Sequence, residues 1–364
     1  MNGIGSMEKY ELKELALEES AFIENLIEQC PRKDVHCHPS YVKLFEDYTK
    51  QQGFYLHYGS EKEFLLIPYF RRPIQLGASK DFSEYADLVS PWYFGGPVHN
   101  ISNENALQKL FSNYMNELGQ YCKKNNIVTE FQRFTPLLQN HLLYQHHPGL
   151  FYDRKIVYVD LTKDLETIYS EYTRHARKNI NKATRNGLRV YSDNSQASLS
   201  QFLEIYSESM KRKNAKQYYY FNDRFFNDLF TRFKDDIKLF HVEYQGNIIC
   251  STIELGKYQI LHDYLRGSNP DYFIYRPNDI LVDEIIRWAK NAGYNYFVLG
   301  GGSSSSTEDP LLRFKQSFSP LEANFYVYKK IHNTEKYKEL CALKGKQHSD
   351  LQFENAQFFP EYLI

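Results

Sequence analysis

A strongly basic segment has the clearest chemical meaning in this sequence. Residues 174–189 contain six lysines and arginines and no acidic residue. On a helix, five of these cations would share one face, while Ala176, Ile180 and Ala183 would form an inward stripe. The cations of that face are Arg174, Arg177, Lys178, Lys182 and Arg185. Such a face can bind the phosphates of a nucleic acid, and the alternative is a solvated helix surface.

A second segment combines glycines, serines and one lysine. Gly300, Gly301 and Gly302 precede four serines, and Phe314 and Lys315 follow further on. Glycines let a backbone approach a ligand closely, and a nearby ammonium group can stabilise an oxyanion. The spacing matches neither the phosphate-binding loop of nucleotide hydrolases nor the dinucleotide-binding pattern. The segment predicts a substrate site at the glycines with Lys315 as its catalytic cation, and the alternative is an exposed surface lysine.

A third group consists of Tyr264, Arg266 and Ser268. Because these residues alternate along the chain, on a strand they would face the same side of a sheet. They would line a substrate cleft or, as the alternative, a solvent-facing surface.

The sequence lacks the patterns of covalent and metal-dependent catalysis. It contains no Gly-x-Ser-x-Gly motif and no persuasive Cys/His or Ser/His/Asp set. The histidines around Cys37 and the pair His146-His147 lack the ligand spacing of a structural zinc site. We therefore expect no metal site.

The elements that position these residues are predicted to form two α/β domains with mixed sheets. A chain of 364 residues suits two domains, each with its own core. A new series of strands and helices begins after Pro148-Gly149, which places the boundary near residue 150. The predicted domains cover residues 7–150 and 151–331, and a tail without an assigned role covers 332–364.

Hydrophobic periodicity predicts the individual elements. In the first half, helices are expected at 8–29, 40–50 and 103–124, a hairpin at 54–58 and 64–70, and a strand at 128–134. In the second half, helices are expected at 165–185, 198–212, 222–234 and 277–292. The strands expected there cover 156–161, 237–255, 258–266, 294–299 and 323–330.

Composition limits the partners and the compartment. The formal net charge is −1, so a polyanion would have to bind at a local basic patch. Five scattered cysteines do not resemble a disulfide framework, which favours a reducing cytoplasm. No apolar run approaches the roughly 20 residues that span a bilayer, so no transmembrane segment is expected.

Several of these motifs together resemble the FemABX family of double-domain acyltransferases. The second half contains four such patterns. They are Tyr-x-x-x-x-Arg-Lys-x-Ile-x-Lys-Ala-x-x-x-Gly at 172–187, Ser-Met-Lys-Arg at 209–212, Leu-Gly-Gly-Gly at 299–302 and Arg-Phe-Lys-x-x-Phe at 313–318. The first half contributes three more segments: Ser-Pro-Trp-Tyr-Phe-Gly-Gly-Pro-Val at 90–98, Glu-Phe-Gln-Arg-Phe at 130–134 and Pro-Leu-Leu at 136–138. The resemblance in the second half extends over about 150 residues.

The resemblance implies a fold, a reaction and roles for residues. It implies two tandem domains of the GNAT (acyl-CoA N-acyltransferase) fold and an aminoacyl-tRNA donor, with no cofactor. The acceptor would be a cell-envelope precursor, bound in a cleft on the first domain or between the domains. Lys315 stands where the family's intermediate-stabilising lysine lies, preceded by Phe314, and Arg212 would also bind substrate.

Two alternatives remain open at this stage. Acyl-CoA could be the donor, although the usual glycine-rich turn is replaced by Tyr275-Arg276-Pro277-Asn278. A non-catalytic module that binds RNA or glycan is the other. The acceptor class is also open, because 95–100 reads Gly-Gly-Pro-Val-His-Asn instead of the Tyr-Gly-Pro-Val-x-Asp of members that use the nucleotide-linked muramyl pentapeptide.

Overall fold

The computed structural model describes residues 10–60, 62–76, 82–345 and 358–363. The chain divides into two compact units. The first unit contains Met1–Asp153 and Phe325–Ile364, and the second contains Arg154–Asn324. The start of the predicted first domain, residues 7–9, and much of the predicted tail, 346–357 and 364, lie outside the described residues.

Strands and helices are numbered in chain order. The strands are β1 Glu11–Ala16, β2 Gln52–Gly59, β3 Phe64–Pro73, β4 Ala86–Val89, β5 Val98–His99, β6 Ile127–Arg133, β7 Leu150–Asp160, β8 Arg189–Ser192, β9 Ile237–Tyr244, β10 Asn247–Lys257, β11 Ile260–Ser268, β12 Tyr296–Gly300 and β13 Glu322–Ile331. The helices are α1 Ser20–Gln29, α2 Pro39–Thr49, α3 Glu104–Lys124, α4 Leu165–Glu171, α5 Arg174–Arg185, α6 Gln196–Arg212, α7 Asp223–Arg232, α8 Pro277–Asn291, α9 Pro310–Gln316 and α10 Thr334–Leu343. No described helix is long and apolar enough to cross a membrane.

The first unit is built on a mixed sheet in the order β1-β2-β3-β4-β6-β13. The pairing of β4 with β6 is parallel, and β5 adds to β3. Both faces of β2 are covered. Phe54 and Leu56 pack in a core with Phe111 of α3, whereas the hydroxyl of Tyr55, on the opposite face, donates to the carbonyl of Cys37.

The second unit has a sheet in the order β7-β12-β11-β10-β9-β8. Only the β11–β12 pair is parallel among these described pairings. Helices α5 and α8 pack against each other and contribute to the main core of this unit. Helix α6 crosses β11 at Gly267, where an added Cβ would lie 2.8 Å from the backbone of Tyr206. The mixed α/β class predicted from the sequence is confirmed.

The division into units differs from the predicted domains at the C-terminal side. The described residues from Phe325 onward belong to the first unit, not to a second domain ending at residue 331. The reason is pairing, because Val327–Ile331 of β13 runs antiparallel to Thr129–Arg133 of β6. The described end of the tail also joins this unit, since Phe359 and Tyr362 pack with Tyr337 in a separate small core.

Local predictions failed where tertiary pairing or a cap decided the structure. The expected helix at 8–29 is wrong in its first part, because 11–16 pairs with β2 as β1. The expected helix at 165–185 is two helices, since Thr173 caps α5 with its hydroxyl accepting from the amide of Ala176. The expected strand at 237–255 is a hairpin, with Gln245 and Gly246 both at positive φ in the turn between β9 and β10.

Candidate active site

Lys315 lies on the short helix α9, which sequence periodicity did not predict. The helix begins because Asp309 caps it, with its Oδ1 accepting from the amides of Leu311 and Leu312 at 2.9 and 3.1 Å. The Oδ2 of Asp309 accepts from the hydroxyls of Ser303 and Ser304 at 2.6 and 2.9 Å. Asp309 therefore joins the serine-rich loop to the helix that carries Lys315.

The pKa of Asp309 reflects these bonds. Burial acts to raise it, but the hydrogen bonds from Ser303, from the Leu312 amide and from Ser304 outweigh burial. They hold the pKa well below its usual range. The carboxylate is consequently charged throughout the neutral pH range.

The ammonium group of Lys315 is tethered to the glycine-rich loop. Its Nζ donates a hydrogen bond of 2.8 Å to the carbonyl of Gly301. Desolvation lowers the pKa of Lys315 to about 8, with Arg266 and Lys213 acting in the same direction and Asp263 and Asp309 opposing them. A lysine in this state can stabilise developing negative charge and can also give up a proton near neutral pH.

The glycines of this loop are required by close contacts. A Cβ on Gly302 would lie 2.7 Å from the carboxyl carbon of Asp309, and one on Gly301 would lie 2.9 Å from the carbonyl oxygen of Lys155. The carbonyl of Gly302 also accepts from Nη1 of Arg154 at 3.1 Å. The predicted role of Gly301 and Gly302 in substrate binding stays a prediction. In the structure, the carbonyl of Gly301 accepts from Lys315, and Gly302 leaves room for Asp309.

A β-bulge reorders the third candidate group. Pairing between β10 and β11 shifts after Ile253, so Glu254 lies opposite Asp263, and Tyr264 becomes the extra residue. Asp263 and Arg266 are three positions apart, yet the bulge puts them on one face, where Oδ2 and Nη2 lie 3.1 Å apart. The alternation expected of Tyr264, Arg266 and Ser268 therefore breaks at Tyr264.

The face of β10 and β11 that carries Arg266 is a polar cluster. The hydroxyl of Thr252 lies 2.9 Å from Oε1 of Glu254 and 3.2 Å from Oδ1 of Asp263. Glu254 is fully buried and its Oε2 has no hydrogen-bond partner among the described residues. Burial, reinforced by the charge of Asp263, raises the pKa of Glu254 well above its usual range. Sequence analysis missed Glu254 and Asp263, and the only signal for Glu254 is an acid inside the apolar run 248–255.

The other predicted substrate residues have local roles. Phe314 packs on the core, with its ring 5.3 Å from that of Phe318. The buried hydroxyl of Ser268 donates to Oδ1 of Asn278 at 3.0 Å. Arg212 is exposed, with its guanidinium 5.9 Å from the ring centroid of Phe273, and its neighbour Lys213 is the residue whose charge influences Lys315.

The basic helix α5 exists as predicted, but its cations differ in their availability. Ala176, Ile180 and Ala183 are buried, and Asn179 donates to Asp279 of α8 at 2.9 Å. Arg174, Lys178 and Arg185 are exposed, and Lys182 is partly exposed. In the described part of the chain, none of these four pairs with a carboxylate.

Arg177 differs from the other cations of the helix. Its Nη1 donates to the carbonyls of Tyr172 and Ser170 at 2.8 and 3.0 Å, and so caps the end of α4. A guanidinium held in this way supports the break between α4 and α5. The four remaining cations therefore form the free basic surface.

Sequence comparison finds relatives among acyltransferases. Residues 170–316 match the family described as "Acetyltransferase (GNAT) domain". The chain is 24% identical over 261 residues to the UDP-N-acetylmuramoylpentapeptide-lysine N(6)-alanyltransferase of Weissella viridescens. That match covers 67% of this chain and 76% of the relative.

Structural comparison agrees on the fold. A crystal structure of FemX superposes with a TM-score of 0.65 at 11% identity, covering 90% of this chain and 99% of that one. The structure of L-PGS from Bacillus licheniformis superposes with a TM-score of 0.52 at 14% identity, covering 91% and 97%. The predicted tandem GNAT-like architecture is thereby confirmed.

Proposed function

We propose that this chain, a FemABX-like acyltransferase of the tandem GNAT fold, moves an aminoacyl group from an aminoacyl-tRNA to an amine of a cell-envelope precursor. The observation that carries the proposal is the tethered Lys315, partly buried beside a glycine-rich loop on the unit that matches the acyltransferase family. The Weissella relative supports a peptidoglycan precursor as acceptor, and a surface-glycan precursor is the related possibility for the same chemistry.

The reaction needs little from the protein. A neutral acceptor amine attacks the ester carbonyl, a C–N bond forms, and the C–O bond to the tRNA breaks. One proton leaves the amine and one reaches the departing tRNA oxygen, so protons balance. Lys315 would stabilise the oxyanion of the tetrahedral intermediate, a contribution typically worth about 100-fold or more in rate. No enzyme nucleophile and no cofactor enter this scheme.

The free basic face of α5 supports the tRNA as donor. Arg174, Lys178, Lys182 and Arg185 can neutralise phosphates without giving up an existing ion pair. Because charged tRNA is a cytoplasmic substrate, the proposal places the enzyme in the cytoplasm.

A donor assay tests the proposal. Purified protein would be incubated with radiolabelled aminoacyl-tRNA pools or acyl-CoA, together with a cell-envelope precursor extract. We expect label to reach the acceptor from tRNA, to be lost after RNase treatment, and to fall about 100-fold or more in Lys315→Met. Lys338→Met, an exposed lysine of the first unit, is the control and should retain transfer. Transfer from acyl-CoA alone would refute the tRNA donor.

A further inference from the structure

We propose that Asp263 is a positioning residue that, together with Arg266, sets the charge state in which Lys315 meets its substrate. The role of Lys315 in acyl transfer rests on the proposed function. The electrostatic relation between these three residues does not, and it can be measured without any substrate.

The bulge in β11 is the structural basis of this inference. In a regular strand, Asp263 and Arg266 would point to opposite faces of the sheet, because they are three positions apart. The shift after Ile253 instead pairs Asp263 with Glu254 and brings it within 3.1 Å of Arg266. Bulges commonly re-aim side chains next to active sites.

Some polar groups of this cluster lack hydrogen-bond partners, as the surroundings of Arg266 show. The side chain is only 15% exposed, yet its Nε and Nη2 lack a hydrogen-bond acceptor of good geometry among the described residues. Asp263 is thus the principal neutralising partner of a buried guanidinium. Asp263 directly follows His262, which lies opposite Val298 in the parallel pair of β11 and β12, and β12 leads into the loop whose Gly301 carbonyl holds Lys315. From this position, the charge of Asp263 favours the ammonium form of Lys315.

Charged groups on several elements act on Lys315. Strand β11 contributes Asp263 and Arg266, and the loop before α9 contributes Asp309. The residue after α6, Lys213, adds a positive charge. Strand β10 contributes Glu254 and Cys250, which interact with Asp263 and Arg266; burial raises the pKa of both, so both favour their uncharged forms. After desolvation, Asp263 has the largest effect on Lys315, and it opposes the two neighbouring cations.

The sign of each substitution follows from these charges. Removing the negative charge of Asp263 makes the ammonium form of Lys315 less favourable, so Lys315 loses its proton at lower pH. Removing the positive charge of Arg266 has the opposite effect. If Asp263 had a merely structural role, removing Asp263 and removing Arg266 would not shift the pKa of Lys315 in opposite directions.

Competitive labelling of Lys315 with a trace amine-acylating reagent, read by mass spectrometry as a function of pH, tests this inference. The wild-type midpoint is expected near pH 8. In Asp263→Asn it should fall by about one pH unit, and in Arg266→Met it should rise. Asp263→Glu keeps the charge and should restore the wild-type midpoint. Asp271→Asn removes an exposed carboxylate from the same unit and should change nothing.

The outcomes separate this inference from the proposed function. An unchanged or raised midpoint in folded Asp263→Asn would overturn it. Circular dichroism would check folding, and if that variant does not fold, an unshifted midpoint in Arg266→Met would overturn it equally. Shifted midpoints without aminoacyl transfer by any variant would refute the proposed function alone.

Discussion

At the scale of single residues, the surroundings of Lys315 determine what it can do. Among the described residues, its ammonium group donates to the carbonyl of Gly301, and it is influenced by charges of both signs. Desolvation weakens its hold on a proton, which makes a side chain that is normally a permanent cation titratable in the working range. This property leads to a prediction about pH.

Transfer should decline on the alkaline side as Lys315 loses its proton, with a midpoint near pH 8. The cause is that the neutral amine no longer stabilises an oxyanion. Lys315→Arg keeps a positive charge far above this pH, so its residual activity should lack the decline. The measurement is the pH profile of kcat/KM for the aminoacyl-tRNA donor at saturating acceptor. An identical alkaline decline in the arginine variant would contradict the assignment of this decline to Lys315.

Sequence reasoning named Lys315 and Arg266 as candidate site residues but not the acids near them. Lys315 was recognisable because it follows a glycine-serine loop and lies in the pattern Arg-Phe-Lys-x-x-Phe at 313–318. Asp263 and Glu254 were not, since a strand pattern assumes regular alternation and the bulge after Ile253 leaves no mark in the sequence. The register of a bulge is a tertiary property.

At the scale of elements, the loop between β12 and α9 fixes the geometry of the candidate site. Glycine at 302 allows Asp309 to approach so closely that the serine hydroxyls and the helix amides share one carboxylate. The loop therefore has a defined structure, although a run of glycines and serines is typical of flexible segments.

Gly302→Ala adds only one methyl group but should disturb the position of Lys315 strongly. The new Cβ would lie 2.7 Å from the carboxyl carbon of Asp309, so the cap of α9 must shift and Lys315 with it. We expect kcat to fall at least about tenfold, since small misplacements of a catalytic group are costly. Gly119→Ala is the matched control, because that site in α3 has no atom within 4 Å and alanine favours helix by about 1 kcal/mol. Equal kinetics for both variants would argue against the role of the loop.

The cations of helix α5 should differ in role, with the exposed ones binding tRNA and Arg177 stabilising the fold. Lys178→Ala removes an exposed charge and is expected to weaken tRNA binding. The slope of log affinity against log salt concentration should decrease by about one, because one counterion fewer is released. Arg177→Ala breaks hydrogen bonds to the end of α4 and should cost about 1–2 kcal/mol of stability. Filter binding over a salt series and urea unfolding would measure both. A larger binding loss in the arginine variant, at unchanged stability, would reverse the assignment.

The amphipathic pattern of α5 was visible in the sequence, and so were most long helices. The errors were at junctions and edges. Residues 11–16 have helix-forming composition but form β1, because an edge position on β2 is available to them and isolated helix propensity is weak. Composition alone does not reveal such an available partner.

At the scale of the whole chain, the order of residues and the order of the folded units differ. The chain leaves the first unit at Asp153 and returns to it at Phe325. Sequence patterns identified β13 as a strand but could not name its partner, since pairing with β6 joins residues about 200 positions apart. The described end of the tail then completes the core beside that strand.

The tail should therefore stabilise the first unit rather than act as a separate appendage. The hydroxyl of Tyr362 donates to Oδ1 of the buried Asp87, which also accepts from Thr129 at 2.6 Å and from Arg72 at 3.0 Å. Tyr362→Phe removes one of the three donors that the described residues provide to this buried carboxylate, and it should cost about 1–3 kcal/mol. Tyr218→Phe, at an exposed tyrosine of the second unit, should cost almost nothing.

Hydrogen exchange would locate the effect of Tyr362→Phe. Asp87 is on β4, which pairs with β6, so faster exchange should appear in these two strands. Strands β9 and β10 of the second unit should keep their protection, because the lost hydrogen bond lies wholly within the first unit. Protection unchanged in β4 and β6, or lost equally from β9 and β10, would contradict a stabilising role of the tail in the first unit.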